Sequence, residues 1–446
     1  MSDVFAPLRA RLRMISPASH VGQVAALGRD HVMVTGLDHV AALGDQVRLG
    51  DRLMGEVLRI DPAGCTVMPE GSAEGLRLGL PATHLGRVTI APHAGWLGRV
   101  IDPNGQPMDG RPLFPGPLSY RLDGPPPMPA DRRGLGGRLT TGLAVFDTLL
   151  PIVRGQRIGL FAGSGVGKSR LIATLANAMA ADVVVIGLIG ERGREVRDFV
   201  EDTLGPTGLA RSVVIAASSD RPALTRSRAA LTMMAVAEYF RDQGQHVLLL
   251  ADSITRFAEA QRDVAAAAGE AFGPSGFPAS MAQRVMALAE RAGPGAKGQG
   301  DITAVFSVLV AGSDMDGPVA DVMRGVLDGH VVLTREIAER GRFPAVDLLR
   351  SVSRALPAAA DADENRIITR ARQLLGAYDR AESMVQSGLD VPGSDPVVDA
   401  AVSVWPGLDA FIAAPGGTAV QDSFAKLRAV LETATPCAPS RAVGTR

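Results

Sequence analysis

The chain has little sulfur chemistry: two cysteines in 446 residues, Cys65 and Cys437. They stand far apart without C-x-x-C spacing, which excludes a disulfide framework or a thiolate zinc site and makes a reducing cytoplasm the expected compartment. Aromatic residues make up only 4% of the chain. A surplus of either charge is also missing, since 46 basic and 47 acidic residues leave a net charge of −1. Proteins that live on bulk nucleic acid carry a basic surplus, so that partner is disfavoured. No apolar run approaches the ~18–20 residues that span a bilayer; the longest lie near Ala229–Ala237 and Thr303–Ala311. The opening string MSDVFAPLRARLRMIS holds three arginines but no apolar segment or small-residue cleavage site, so no secretory signal is expected in it.

What is present is an aliphatic, turn-rich chain with 51 glycines and 30 prolines, long enough at ~150 residues per domain for about three domains. Val4, Phe5, Leu8, Leu12 and Ile15 fall at helical spacing, which predicts an amphipathic helix over 1–18, packed on its own domain or docking a partner. Over 19–93 the texture becomes short β-rich runs between Gly/Asp turns (HVMVTGL, DQVRLGD, GEVLRI, CTVMPEG, GRVTI), the pattern of a small antiparallel β-barrel. Barrels that bind single-stranded nucleic acid do so with stacking aromatics and a basic groove. Phe5 is the only aromatic before Trp96, so a structural barrel is the better reading.

Residues 94–356 are read as a Pro/Gly-rich connector followed by an α/β core. Apolar strands at Arg157–Ala162, Val183–Ile189, Ser212–Ala217, His246–Ala251 and Ala304–Ala311 alternate with helical stretches, which predicts a parallel sheet covered on both faces. In 357–446 the strands stop. Helices are expected at Ile367–Val385, Pro396–Val404 and Phe424–Thr433, ahead of a loose tail, TATPCAPSRAVGTR.

Three strings carry chemistry. The first runs Ala162-Gly163-Ser164-Gly165-Val166-Gly167-Lys168-Ser169, between a strand and the helix that Arg170 continues. It is a phosphate-binding loop with alanine at the first glycine position. Its backbone N–H groups turn inward around phosphate oxygens, Lys168 reaches the β- and γ-phosphates, and the Ser169 hydroxyl ligates Mg²⁺. The second is Val247-Leu248-Leu249-Leu250-Ala251-Asp252, which puts Asp252 at a strand's carboxyl end, where a Mg²⁺-side carboxylate belongs. The third, Gly190-Glu191-Arg192-Gly193-Arg194-Glu195, follows VVVIGLI and offers Glu191 to orient an attacking water. Arg194 and Glu195 are equally well explained as a pair at a strand–helix turn.

These strings, in the order GSGVGKS, IGERGREVRDFVED, LLLADSITRFAEAQRDV and GDITAVFSVLVAGSDMDGPVADVMRGVLDGHVVLTREIAERGRFPAVDLLRSVSR, resemble the catalytic-subunit family of rotary ATP synthases. The likeness is nearer to its flagellar export and type III secretion branch and covers nearly the whole chain. The resemblance implies an ATP hydrolase working with Mg²⁺. Lys168 and Ser169 match the loop lysine and hydroxyl, Glu191 the catalytic glutamate, and Asp252 the magnesium-side aspartate. Arg192 and Arg256 match arginines lining the site. Phe343 matches an aromatic against adenine, and the bland alternative is a core phenylalanine beside a proline. Arg354 matches an arginine finger supplied to the neighbouring subunit, so a homo-hexameric ring is implied.

The string GSDPVVDAAVSVWPGLDAFIAA, with Trp405-Pro406 ahead of Asp409-Ala410-Phe411, resembles the flagellar branch more than the virulence-type one, which stays the alternative. A synthase catalytic subunit or a hexameric RNA helicase is more remote. The implied partners are a stator-like regulator at the N-terminal helix, an export gate, chaperones and export substrates. The implied place is the cytoplasm, peripheral to an inner-membrane export apparatus.

Overall fold

The computed structural model describes residues 19–310, 315–389 and 393–434. The expected N-terminal helix and nearly all of the expected tail lie outside the described residues.

Val21–Leu27 (β1), Val32–Thr35 (β2), Asp45–Leu49 (β3), Leu53–Asp61 (β4), Gly64–Pro69 (β5) and Pro81–Arg87 (β6) close into an antiparallel barrel in the order β1-β2-β5-β4-β3-β6. Alternate positions along these strands send Val24, Val32, Val34, Val47, Leu49, Val57 and Val67 into its core, the period-2 burial that a half-solvated sheet imposes. In the connector, Thr89–Ile90 (β7) pairs with Tyr120–Arg121 (β9). Arg99–Ile101 (β8), within a stretch read as plain connector, instead joins the edge of the large sheet.

That sheet contains Arg157–Ala162 (β10), Val183–Glu191 (β11), Ser212–Ser218 (β12), Val247–Asp252 (β13), Asp301–Leu309 (β15), Gly329–Leu333 (β16) and Val346–Ser353 (β17), with the short Gly293–Pro294 (β14) paired to β15. The order is β17-β16-β10-β15-β13-β11-β12-β8. All neighbours on this path are parallel except β16 and β17. The strands expected after Gly142 are all present; β16 and the antiparallel β17 are additions.

The continuous apolar runs have a direct structural cause. Val184, Ile186 and Leu188 face one hydrophobic core while Val183, Val185 and Ile189 face another. One core is completed by the helices Lys168–Ala178, Ala362–Gln386, Pro396–Ala413 and Val420–Glu432. The other is completed by Ala223–Asp242, Ile254–Ala267, Ala279–Glu290 and Pro318–Val326. The helix expected at Pro396–Val404 runs on through Pro406 to Ala413. Buried Val404 before the proline and buried Leu408, Phe411 and Ile412 after it hold both halves in the core and offset the missing N–H. By length and composition this helix is apolar enough to cross a membrane, yet these residues pack beside the sheet.

Arg228, 2% exposed, fastens the barrel to the core. Its guanidinium bonds Glu70 just past β5, Glu56 of β4 at 3.1 Å and Asn104 of the connector at 2.8 Å. Burial raises the Glu56 carboxyl, an effect that the Arg228 charge opposes.

His246 leads into β13 with its Nε2 2.8 Å from Thr303 Oγ1, while its backbone N–H donates to Asp182 at 2.7 Å. Burial, aided by the Arg154 charge, pushes its pKa down to about 4. An unfolded imidazole titrates near ~6.5, so between the two values the unfolded chain binds the extra proton. Stability is therefore expected to fall as pH drops through that window, by on the order of 2–3 kcal/mol. Urea unfolding at about pH 7.5 and about pH 5 checks this, and His246→Gln should lessen the difference.

Candidate active site

The site is built where β10, β15, β13 and β11 end along one edge of the sheet. β10 runs into the phosphate loop. Gly165 and Gly167 hold φ of +79° and +85° there, a region that side chains other than glycine enter at a cost. Val166 between them is buried and anchors the loop. Gly163 is half-buried, while Ser164, Ser169 and Arg170 reach the surface. The helix Lys168–Ala178 begins without a side-chain cap, so its first N–H groups face the concavity as anion donors.

Lys168 contacts Asp252 and lies 3.7 Å from Glu191 Oε1. Asp252, 3% exposed, ends β13. Its Oδ1 accepts a second bond, 2.7 Å long, from Ser307 Oγ on the intervening β15. Glu191 ends β11 just past a register shift between Ile189 and Glu191, and such a bulge re-aims the side chain after it. Gly190 in that bulge sits at φ +70°, where an added Cβ would stand 3.0 Å from the Arg256 stem. Burial pushes the Glu191 carboxyl up to about 7, with Asp252 adding to the shift and Lys168 opposing it. One ammonium thus balances two inward carboxylates, and an entering phosphate chain would compete for it.

The remaining expected residues divide. The exposed Phe343 ring (43%) lies over the loop, so close that a Cβ added at Gly167 would stand 3.0 Å from its Cδ1. Arg256 packs its stem on Gly190 and pairs with Glu259 at 2.8 Å. Arg192 is not brought in: 82% exposed, it pairs with Glu195 at 3.5 Å. Arg354 is at the other end of the sheet. It follows antiparallel β17, its N–H donating to Asp328 O beside the start of β10 and its Nη2 to Arg324 O at 3.2 Å. At ~3.3 Å per residue, the length of β10 alone puts it roughly 16 Å from the loop.

The donor set suits Mg²⁺. A hydroxyl and a buried carboxylate are hard oxygen ligands, and they stand beside a cradle for phosphate oxygens, the setting in which Mg²⁺ is held by few protein groups.

Residues 142–353 match the ATP synthase alpha/beta family, nucleotide-binding domain, and residues 360–429 match the T3SS EscN ATPase C-terminal domain. Over 440 residues the chain is 43% identical to the flagellum-specific ATP synthase of Caulobacter vibrioides, covering 96% of this chain and 99% of that one. The chain belongs to the ATP synthase alpha/beta family. Within the family it stands with the flagellar and type III secretion ATPases. Its fold matches the assembled ATPase EscN of the enteropathogenic E. coli type III secretion system with a TM-score of 0.84 and 35% identity, over 92% of this chain and 100% of that chain. It matches EscN in complex with its central stalk EscO at 0.83 and 35%, with the same coverage.

Ser307 is the site residue that sequence reasoning missed. Its signal was there: one hydroxyl inside the otherwise apolar run Ala304-Val305-Phe306-Ser307-Val308-Leu309, where a buried polar group needs a partner. Groups that orient a metal ligand typically alter metal affinity ~10–100-fold when removed. Ser307→Ala is therefore expected to raise the Mg²⁺ concentration for half-maximal phosphate release about tenfold, and Ser307→Thr to leave it near the native value. A Mg²⁺ titration of steady-state turnover measures both.

Proposed function

We propose that the chain is a Mg²⁺-dependent ATP hydrolase that works as a hexameric ring and energises export of flagellar proteins through a type III secretion apparatus. The convergence of Lys168, Asp252 and Glu191 at the mouth of the phosphate loop carries this reading.

The backbone N–H groups of Gly163 to Gly167 and the start of the following helix receive the phosphate oxygens. Lys168 exchanges its carboxylate partners for the β- and γ-phosphates. Ser169 and Asp252 would hold Mg²⁺, which would supply charge neutralisation at those phosphates. Ser307 keeps Asp252 oriented. Glu191, freed from Lys168 and ionised, accepts a hydrogen bond from water and aims it in line with the γ-phosphate. Phe343 offers its ring face to the adenine.

Arg354 serves the neighbouring subunit. Its place at the far end of the sheet supports this, because the residue is out of reach of its own loop. Arg256 packs its stem beside the Gly190 bulge that presents Glu191, while Arg192 stays at the surface paired with Glu195. The division of labour follows the chain: residues 1–18 for a stator-like regulator, the barrel of 19–93 as a structural domain, 94–356 for catalysis, and 357–446 for chaperones and export substrates. The ring sits in the cytoplasm, peripheral to the inner membrane, and a central stalk such as the EscO bound by EscN would occupy its axis. The matches to the EscN C-terminal domain and fold favour one second reading, the ATPase of a virulence-type secretion system. Restored motility in a bacterium lacking its flagellar export ATPase supports the flagellar reading, and failure alongside restored injectisome secretion supports the second.

Lys168→Ala and Glu191→Ala should each reduce phosphate release by ~10³-fold or more. ATP binding with no phosphate release by the native ring would overturn the hydrolase reading.

A finger supplied in trans is worth ~10³–10⁵ in rate, so turnover per chain should rise with protein concentration as rings form. Arg354→Ala chains should be silent alone and recover when mixed with Lys168→Ala chains, which donate Arg354 to intact neighbouring loops. Specific activity independent of concentration, with no recovery on mixing, sinks the trans arrangement.

A further inference from the structure

The segment between β16 and β17 is a strap across the mouth of the phosphate loop. Arg335 Nη2 lies 3.5 Å from Ser164 O near one end, and the Phe343 ring rests on Gly167 near the other. Arg342, next to Phe343, turns the opposite way and is 8% exposed. Its Nη1 donates to Pro344 O at 3.3 Å and its Nη2 to Val346 O at 2.9 Å, so one guanidinium braces the turn that presents Phe343. Its Nε lies 2.8 Å from Asp409 Oδ1 on the helix Pro396–Ala413. Burial works against the Arg342 charge, with Arg340 adding to that effect, while Asp409 and Asp347 oppose it. Asp409 alone of these reaches it from the C-terminal helices.

We propose that Arg342 and Asp409 form a positioning pair that ties the Phe343 ring to the helix Pro396–Ala413, so that a purine base on Phe343 and the pose of the C-terminal helices are coupled. Neither residue touches the nucleotide. The pair acts through Phe343, and the inference rests on the reading of Phe343 as the seat of the base. The Arg342 guanidinium is hydrogen-bonded to the turn through Nη1 and Nη2 and ion-paired at Nε with Asp409, so a displacement of the turn moves the buried cation against its carboxylate. A built-in reporter lies four residues earlier on the same helix. Trp405 stacks on Tyr378 with centroids 4.1 Å apart and planes 6° from parallel.

The test uses the full chain and compares the affinity for Mg²⁺-ATP with that for Mg²⁺-tripolyphosphate, which has no base. Asp409→Asn should weaken ATP about five- to tenfold, leave tripolyphosphate unchanged, and be rescued by Asp409→Glu. In a Trp96→Phe background, ATP should shift Trp405 emission in the native pair and not in Asp409→Asn. Phe343→Ala should erase the preference for ATP over tripolyphosphate, and adding Asp409→Asn to it should change nothing further. An unaltered preference in Phe343→Ala overturns the base seat itself. A lost preference there, with Asp409→Asn either silent or weakening both ligands equally, overturns the pair alone.

Discussion

Lys168 reaches Asp252 and Glu191 because β10, β13 and β11 run parallel and end at the same edge of one sheet. Everything chemical in the molecule depends on that alignment. Parallel pairing requires long crossovers, and the crossovers are the helices that bury both faces. Burial on both faces makes the strands aliphatic throughout and holds their register, leaving the polar residues at the carboxyl ends. Ser307 places a buried hydroxyl near the carboxyl end of β15, the strand between the loop strand and Asp252. That hydroxyl is admitted because its hydrogen bond to the carboxylate satisfies both groups.

The barrel is held by a different kind of interaction. Arg228 is a buried cation shared among a barrel strand, the end of the next strand and the connector, and two carboxylates converge on it. Such a hub adds little net stability over well-packed apolar groups, but removing one partner strands a buried charge at about 3–5 kcal/mol. Its effect is to specify one pose for the barrel, since a shifted barrel would leave Glu56 and Glu70 without their cation.

The C-terminal helices share a hydrophobic core with the face of the sheet that carries the phosphate-loop helix. Motion at the loop therefore meets packed side chains. The strap that lays Phe343 on Gly167 is tied to one of those helices by the ion pair of Arg342 and Asp409. Arg354 stands at the opposite end of the strands, bonded to Asp328 O and Arg324 O.

The local strings were legible because they are contiguous and their chemistry needs adjacency. The loop Gly163–Ser169, the strand-end Asp252, Glu191 after its glycine, and the alternating texture of the barrel all follow from short-range rules. Periodicity likewise set the parallel core and the helical end. The structure decided what depends on residues far apart in sequence. β8 became a sheet edge, and β16 and antiparallel β17 extended the other side. Pro406 was accepted inside a helix, Ser307 met Asp252, Arg192 turned outward, and Arg342 found Asp409. A side chain's partner across 50 or more residues is set by how the sheet stacks its strands, and no window along the chain contains that information. The scarcities noted at the outset, of cysteine, aromatics and net charge, confine the chain to an aliphatic core. Which of its few charges meet inside that core was settled by tertiary packing, because burial makes each unpaired charge costly and admits only the pairings the fold can satisfy.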